Sequence, residues 1–290
     1  MMDEANYQAW RNAKLENHPR SAEELLVEIG GLVNLSDAEK AEIMARSKRC
    51  NMAIYRCRDT SVDRAAVREF ASNFGLLRLD HHLCANDDGV SELSVASRGI
   101  RTGYAPYSNH SLSWHTDGYY NDEARQIRAI VLHCANDAAS GGENALFDPE
   151  IAYIRLRDEN PAFITALEHP ECMTIPANTG AANADKQVEI RPVACGPVFS
   201  RDVRSGAIHM RFSARKKNIQ WRDDDLTRAA RDCLSEILAD DNEPIFRYRL
   251  QPGEGLISNN VLHNRTSFKD SPDHRRLFYR ARYYDRMDST

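Results

Sequence analysis

Long apolar runs are absent. Nothing approaches the ~20 consecutive apolar residues that a membrane helix needs, so no spanning segment is expected. The opening stretch MMDEANYQAWRNAKLENHPR holds no apolar core either, and a secretory signal is not expected. Basic excess is also missing: 38 Lys and Arg face 43 Asp and Glu, a formal net charge of −5. This mild acidity argues against nucleic acid or an anionic membrane as the main partner and leaves a small molecule. Oligomeric state stays open, a homo-oligomer included. Cysteine is sparse and unpatterned. The seven present are an odd number without C-x-x-C spacing, which disfavours a disulfide framework or zinc ribbon and fits reduced thiols in a cytoplasm. No repeat, low-complexity tract or Gly/Ser linker divides the 290 residues, so one domain is expected over 1–290.

Within that chain, residues 1–90 read as a mixed α/β part. SAEELLVEIG (21–30) and SDAEKAEIMARSK (36–48) each open on a serine able to cap a helix. NMAIYRCRD (51–59) reads as a short strand, and SVDRAAVREFASNF (61–74) puts Val67, Phe70 and Phe74 on one helical face. From about residue 91 short β-like runs alternate with turn clusters: QIRAIVLHCA, PIFRYRLQ, GLISNNVLH and RRLFYRARYY. Helical insertions are expected at 149–169, broken near Pro161, and at 222–241. The fold class is therefore mainly β with flanking helices (α+β), with a β-sandwich or jelly-roll core.

Chemistry concentrates in SLSWHTDGYYN (111–121). In a strand, side chains two apart share a face, so His115 and Asp117 project together. One further His completes a two-His-one-carboxylate triad, which leaves a face of an octahedral iron open to oxygen and a chelating cosubstrate. His169-Pro170-Glu171 fits the same short pattern, but a neighbouring proline and helix end make it a turn. His263, closing the run NNVLH, is the candidate third ligand. Downstream, Arg276, Phe278, Arg280 and Arg282 share one face of an alternating strand. A guanidinium buried among apolar residues needs an anion, and a dicarboxylate cosubstrate would supply one.

Taken together these residues resemble the TauD/TfdA family, the taurine-dioxygenase-like branch of the 2-oxoglutarate oxygenases. REFASNFGLL (68–77), SWHTDGYY, GGENALFD (141–148), NNVLHNRTSF (259–268) and RRLFYR carry the resemblance in order. It implies a single oxygenase domain over 1–290, with a double-stranded β-helix (jelly roll) core over 91–290. It further implies Fe(II) as metal, 2-oxoglutarate as cosubstrate and O2 as oxidant. His115, Asp117 and His263 would be the catalytic metal ligands. Arg276 would pair with the distal carboxylate of 2-oxoglutarate, and Arg280 would lie nearer the metal-bound end. The spacing from His263 leaves Arg275 as a rival for Arg276. Asn144 stands where the family commonly has a threonine that contacts the cosubstrate, and Asn can also donate to a carboxylate. The implied reaction hydroxylates an unactivated C–H bond and releases succinate and CO2. Asp117 favours hydroxylation, since halogenases of this type lack the carboxylate.

Two features bear on substrate. Tyr104, Tyr107, Tyr119 and Tyr120 surround the metal motif and suit a quaternary amine. Against that, Arg211 and Arg215 in HMRFSARKK suit a sulfonate, phosphonate or carboxylate. Two other readings use the same motif: a zinc-dependent hydrolase with a metal-bound water, and a non-catalytic jelly-roll binding module. Neither accounts for the arginine face of the last strand.

Overall fold

The computed structural model describes residues 3–59, 61–183, 186–202 and 205–287. Among these residues are six α-helices and several β-sheets, a mixed α/β architecture. Tight contacts group the chain into two compact units. The first comprises Met1–Ser113, Ile127–Asp148 and Pro244–Thr290; the second comprises Trp114–Gln126 and Pro149–Glu243.

The first unit is built on a six-stranded sheet. Its order is Leu26–Ile29, Met52–Cys57, Glu254–Ser258, Ala129–Asn136, Leu277–Tyr283, Ser91–Leu93. The first pair runs parallel and the remaining pairs antiparallel. Alternation divides the sheet's side chains between two cores. Ala53, Tyr55, Val131, Ile257, Ala281 and Tyr283 pack with Val67, Phe70 and Phe74 beside the helix Arg64–Ser72. Met52, Ile54, Cys134, Leu256 and Phe278 pack instead with Leu146 and Phe246. Those last two belong to a four-stranded sheet ordered Phe246–Tyr248, Asn144–Phe147, Leu262–Arg265, Leu112–His115. The larger sheet is thus covered by helices on one face and by strands on the other.

Helix ends follow the expected chemistry. Ser36 and Glu39 form a reciprocal capping box for Asp37–Cys50, which stops at Asn51 in the left-handed region (φ 62°). Asp63 caps Arg64–Ser72. The helix expected over 21–30 is instead a short 3-10 turn, Ala22–Leu25, followed by the edge strand Leu26–Ile29. Val27 and Ile29 are buried and pair beside Tyr55 and Cys57, so tertiary pairing overrides local helix preference. A helix over Glu4–Asn17 was not expected. It is anchored by Lys14, whose Nζ lies 2.7 Å from the wholly buried Asp148. Burial alone would push the Asp148 carboxyl up, but Lys14 and His18 outweigh it and hold it well below the usual carboxylate range. GLISNNVLH is two strands rather than one, parted at Asn260 (φ 54°).

In the second unit the helices Pro149–Glu159, Pro161–Leu167 and Asp225–Ile237 pack together, and the break at Pro161 is as expected. Around them lie small antiparallel sheets, including Ala194–Gly196, Met173–Ile175 and Gln220–Trp221 in that order. No helix among the described residues is long and apolar enough to cross a membrane.

Candidate metal centre

His115 ends the strand Leu112–His115, and Asp117 follows two residues later. A short antiparallel ladder fixes this segment. Thr116 N donates to Phe212 O (2.9 Å), His115 bridges Ser213, and Ala214 N donates to Trp114 O (2.8 Å). His115 Nε2 lies 3.8 Å from Asp117 Oδ1, so the two present a nitrogen and an oxygen donor side by side. His263 stands on the strand Leu262–Arg265, and its Nδ1 donates to Val261 O at 2.9 Å. A carbonyl can only accept, so Nδ1 carries the proton and Nε2 keeps its lone pair for a metal. One ligand atom from each of His115, Asp117 and His263 lies within 4.8 Å of the others. Two imidazoles and one carboxylate suit iron(II) and leave further coordination positions open. The rival pair behaves as a turn: His169 Nδ1 accepts from the backbone N of Glu171.

The arginine face of the last strand is divided. Arg282 pairs with Asp80, whose other oxygen accepts from Tyr284 Oη. Arg276 is 3% exposed, and its Nη1 has no hydrogen-bond partner among the described residues. Its guanidinium is held by aromatic rings: Cζ lies 3.8 Å from the Phe278 centroid and 5.1 Å from that of Phe268. Arg265 also stacks on Phe268, at 4.8 Å, and its Nη2 donates to the carbonyls of Ser108 and His110. Burial first, and then the Arg265 charge, disfavours the Arg276 cation and draws its pKa down to about 9. A cation so placed is stabilised by an incoming carboxylate. Arg275, by contrast, is exposed. Arg280 is buried as well, in the strand Leu277–Tyr283, whose register shifts between Leu277 and Phe278, just after Arg276.

Asn144 begins the strand Asn144–Phe147 and is buried, with no hydrogen-bond partner for Nδ2 among the described residues. The preceding glycines serve close approach. Both have positive φ; a Cβ on Gly141 would meet Ser267 O at 2.2 Å, and one on Gly142 would reach Arg276 Nε at 3.8 Å. Two buried donors lacking acceptors, Arg276 Nη1 and Asn144 Nδ2, fit an anionic cosubstrate.

The substrate candidates are spread differently. Tyr107 is buried, with its hydroxyl donating to Cys84 O and the Arg101 guanidinium over its ring, while Tyr104 is half-buried nearby in sequence. In the second unit Tyr119 stands edge-on to the His115 ring and packs against Tyr120, over which Arg191 stacks. Arg211 is buried and spends its donors on the carbonyls of Met173, Ala194 and Gly196. Arg215 is exposed and donates from Nη1 to Tyr119 Oη at 3.0 Å. Sequence reading missed Phe268, which separates two arginines, and the 212–214 segment that braces the metal motif. A lone Phe and an unremarkable FSA carry no signal by themselves.

The profile of the family described as taurine catabolism dioxygenase TauD, TfdA family matches residues 23–282. Among curated proteins, a uridine-5'-phosphate dioxygenase from an Amycolatopsis species is 28% identical over 174 residues, 59% of this chain and 60% of that protein. The chain thus spans less than two thirds of that relative's length. A solved taurine dioxygenase from Burkholderia xenovorans superposes with a TM-score of 0.59 at 19% identity, covering 92% of this chain and 88% of that one. A structure of AAD-2 with Mn(II) and N-oxalylglycine gives 0.61 at 14% identity, covering 94% and 98%. These last two likenesses carry the fold.

Proposed function

The chain belongs to the TauD/TfdA family, and from that premise we propose that it hydroxylates an unactivated C–H bond of a small polar molecule, with release of succinate and CO2. It is an oxidoreductase of the dioxygenase class that uses iron(II) and 2-oxoglutarate. The single observation carrying the proposal is the convergence of His115, Asp117 and His263 ligand atoms within 4.8 Å. The six-stranded and four-stranded sheets form, on this reading, the two walls of a double-stranded β-helix.

When bound, iron would activate O2, with 2-oxoglutarate and the substrate C–H bond each giving up two electrons and taking one oxygen atom, and the protein contributes placement and charge. His115, Asp117 and His263 would hold the metal. Arg276, backed by Phe268 and Phe278, receives the distal carboxylate of 2-oxoglutarate as a two-donor fork. Asn144 donates from Nδ2 to the same cosubstrate, and Arg280 supports its other end. Sulfonates, phosphonates and carboxylates are the substrate classes that fit, since Arg215 and Arg191 already place cations on Tyr119 and Tyr120 and disfavour a quaternary amine; the Amycolatopsis relative adds a nucleoside phosphate. The test is a substrate screen by succinate release with iron(II), 2-oxoglutarate and oxygen. Stoichiometric hydroxylated product from one compound supports the proposal. Hydrolysis of a substrate by the zinc-loaded chain, with no succinate, would replace it by the hydrolase reading.

A further inference from the structure

Resting on the dioxygenase reading, we propose that Arg215, tethered by Tyr119, binds a tetrahedral oxyanion of the substrate, a phosphate or sulfonate, and so sets substrate class. The segment carrying Arg215 is laddered onto the metal motif: Phe212 O, Ser213 and Ala214 N pair with Thr116, His115 and Trp114. Arg215 comes two residues after the bridge partner of a metal ligand. Its side chain turns to the hydroxyl of Tyr119, which is 9% exposed and whose ring centroid stands 6.4 Å from that of His115. This links the guanidinium to the candidate metal centre through one aromatic ring.

Charge identifies the ligand. Exposed arginines of this protein commonly pair with a neighbouring acid, as Arg125 does with Asp122 and Arg228 with Asp225. Arg215 has no carboxylate of the described residues within ion-pair distance; its tether is a neutral phenol, which orients the fork without cancelling its charge. Lys216 and Lys217 follow, both exposed, so the local field is positive. Arg211, the other arginine in this segment, is buried and committed to three backbone carbonyls. A quaternary ammonium group would be repelled here, whereas an oxyanion would gain a bidentate partner.

The experiment compares two pairs of compounds that differ in the oxyanion: uridine 5'-phosphate with uridine, and taurine with ethanolamine. Binding to the anaerobic complex with iron(II) and 2-oxoglutarate is measured by calorimetry in the parent, Arg215→Gln, Arg215→Lys and Tyr119→Phe. The oxyanion member of at least one pair should bind more tightly to the parent by about tenfold or more. Arg215→Gln should erase that preference while leaving the Kd for 2-oxoglutarate at the parental value. Arg215→Lys should restore part of it, and Tyr119→Phe should weaken it by a smaller factor. No oxyanion preference in either pair, or one that survives in Arg215→Gln, overturns the proposal. Failure of 2-oxoglutarate to bind the parent would instead strike the dioxygenase reading. In that case inorganic phosphate titrated into the metal-loaded chain still decides Arg215, which must bind it more tightly in the parent than in Arg215→Gln.

Discussion

At the scale of single residues, metal ligands and cosubstrate ligands should fail differently when truncated. His115→Ala, Asp117→Ala and His263→Ala should each lose iron affinity while remaining folded, and His169→Ala should titrate like the parent. Undiminished iron binding in all three would remove the centre. Arg276→Ala should bind iron normally but lose 2-oxoglutarate affinity. Truncating one partner of a buried charged pair costs ~2–5 kcal/mol, roughly a 30-fold to several-thousand-fold rise in Kd. Arg276→Lys should recover only part, because a point charge cannot reproduce the planar fork. Arg275→Ala is the control, since that residue is exposed. If Arg275→Ala is the damaged variant, the strand register of the cosubstrate site is wrong by one. Asn144→Ala should weaken 2-oxoglutarate by about 0.5–1.5 kcal/mol, the net worth of one neutral hydrogen bond. Asn144→Thr should be tolerated. An unchanged Kd in Asn144→Ala would take that residue out of the site.

Elements show where local pattern suffices and where it does not. The helix Asp37–Cys50 was legible because Ser36 and Glu39 write its cap into the sequence. The strand Leu277–Tyr283 was legible from its alternation, but Arg276 falls just before it and the register shifts between Leu277 and Phe278, which a strict period of two does not foresee. LVEI was not, because four apolar-rich residues fit either period and only the neighbouring strand decides. The helix Glu4–Asn17 was hidden by its charge; its buried anchor, Lys14, is recognisable only once Asp148 is in place. At the site, the expected strand pair is half right: His115 closes the strand Leu112–His115, but Asp117 lies in the turn that follows, and Phe268 acts through contacts that sequence separation conceals. Gly255 tests the sheet itself. A Cβ there would meet the Tyr55 ring at 2.2 Å and Leu132 O at 2.6 Å. Gly255→Ala should therefore cost ~1–3 kcal/mol or more through overpacking, read as a lower Tm. An unchanged Tm would mean that Tyr55 and the central strands have room the structure does not give them.

For the molecule as a whole, stability is tied to pH through the wholly buried His133. Desolvation pushes its imidazole down to about 4, against ~6.5 in an unfolded chain. Between those values the unfolded state binds more protons, so the contribution is complete above ~6.5 and is lost as pH falls toward 4. A loss on the order of 3 kcal/mol is expected. Urea unfolding of the metal-free chain at neutral and acidic pH should show a larger drop for the parent than for His133→Gln. Equal drops would place the acid sensitivity elsewhere. The central claim, that one chain gathers a metal and 2-oxoglutarate at His115, Asp117, His263 and Arg276, has a more direct test. Iron(II) and then 2-oxoglutarate are added without oxygen while the visible spectrum is recorded. A weak charge-transfer band should appear, saturate with one 2-oxoglutarate per chain, vanish in His263→Ala, and need far more cosubstrate in Arg276→Ala. A parent chain that binds iron yet gives no band at any 2-oxoglutarate concentration would contradict that claim.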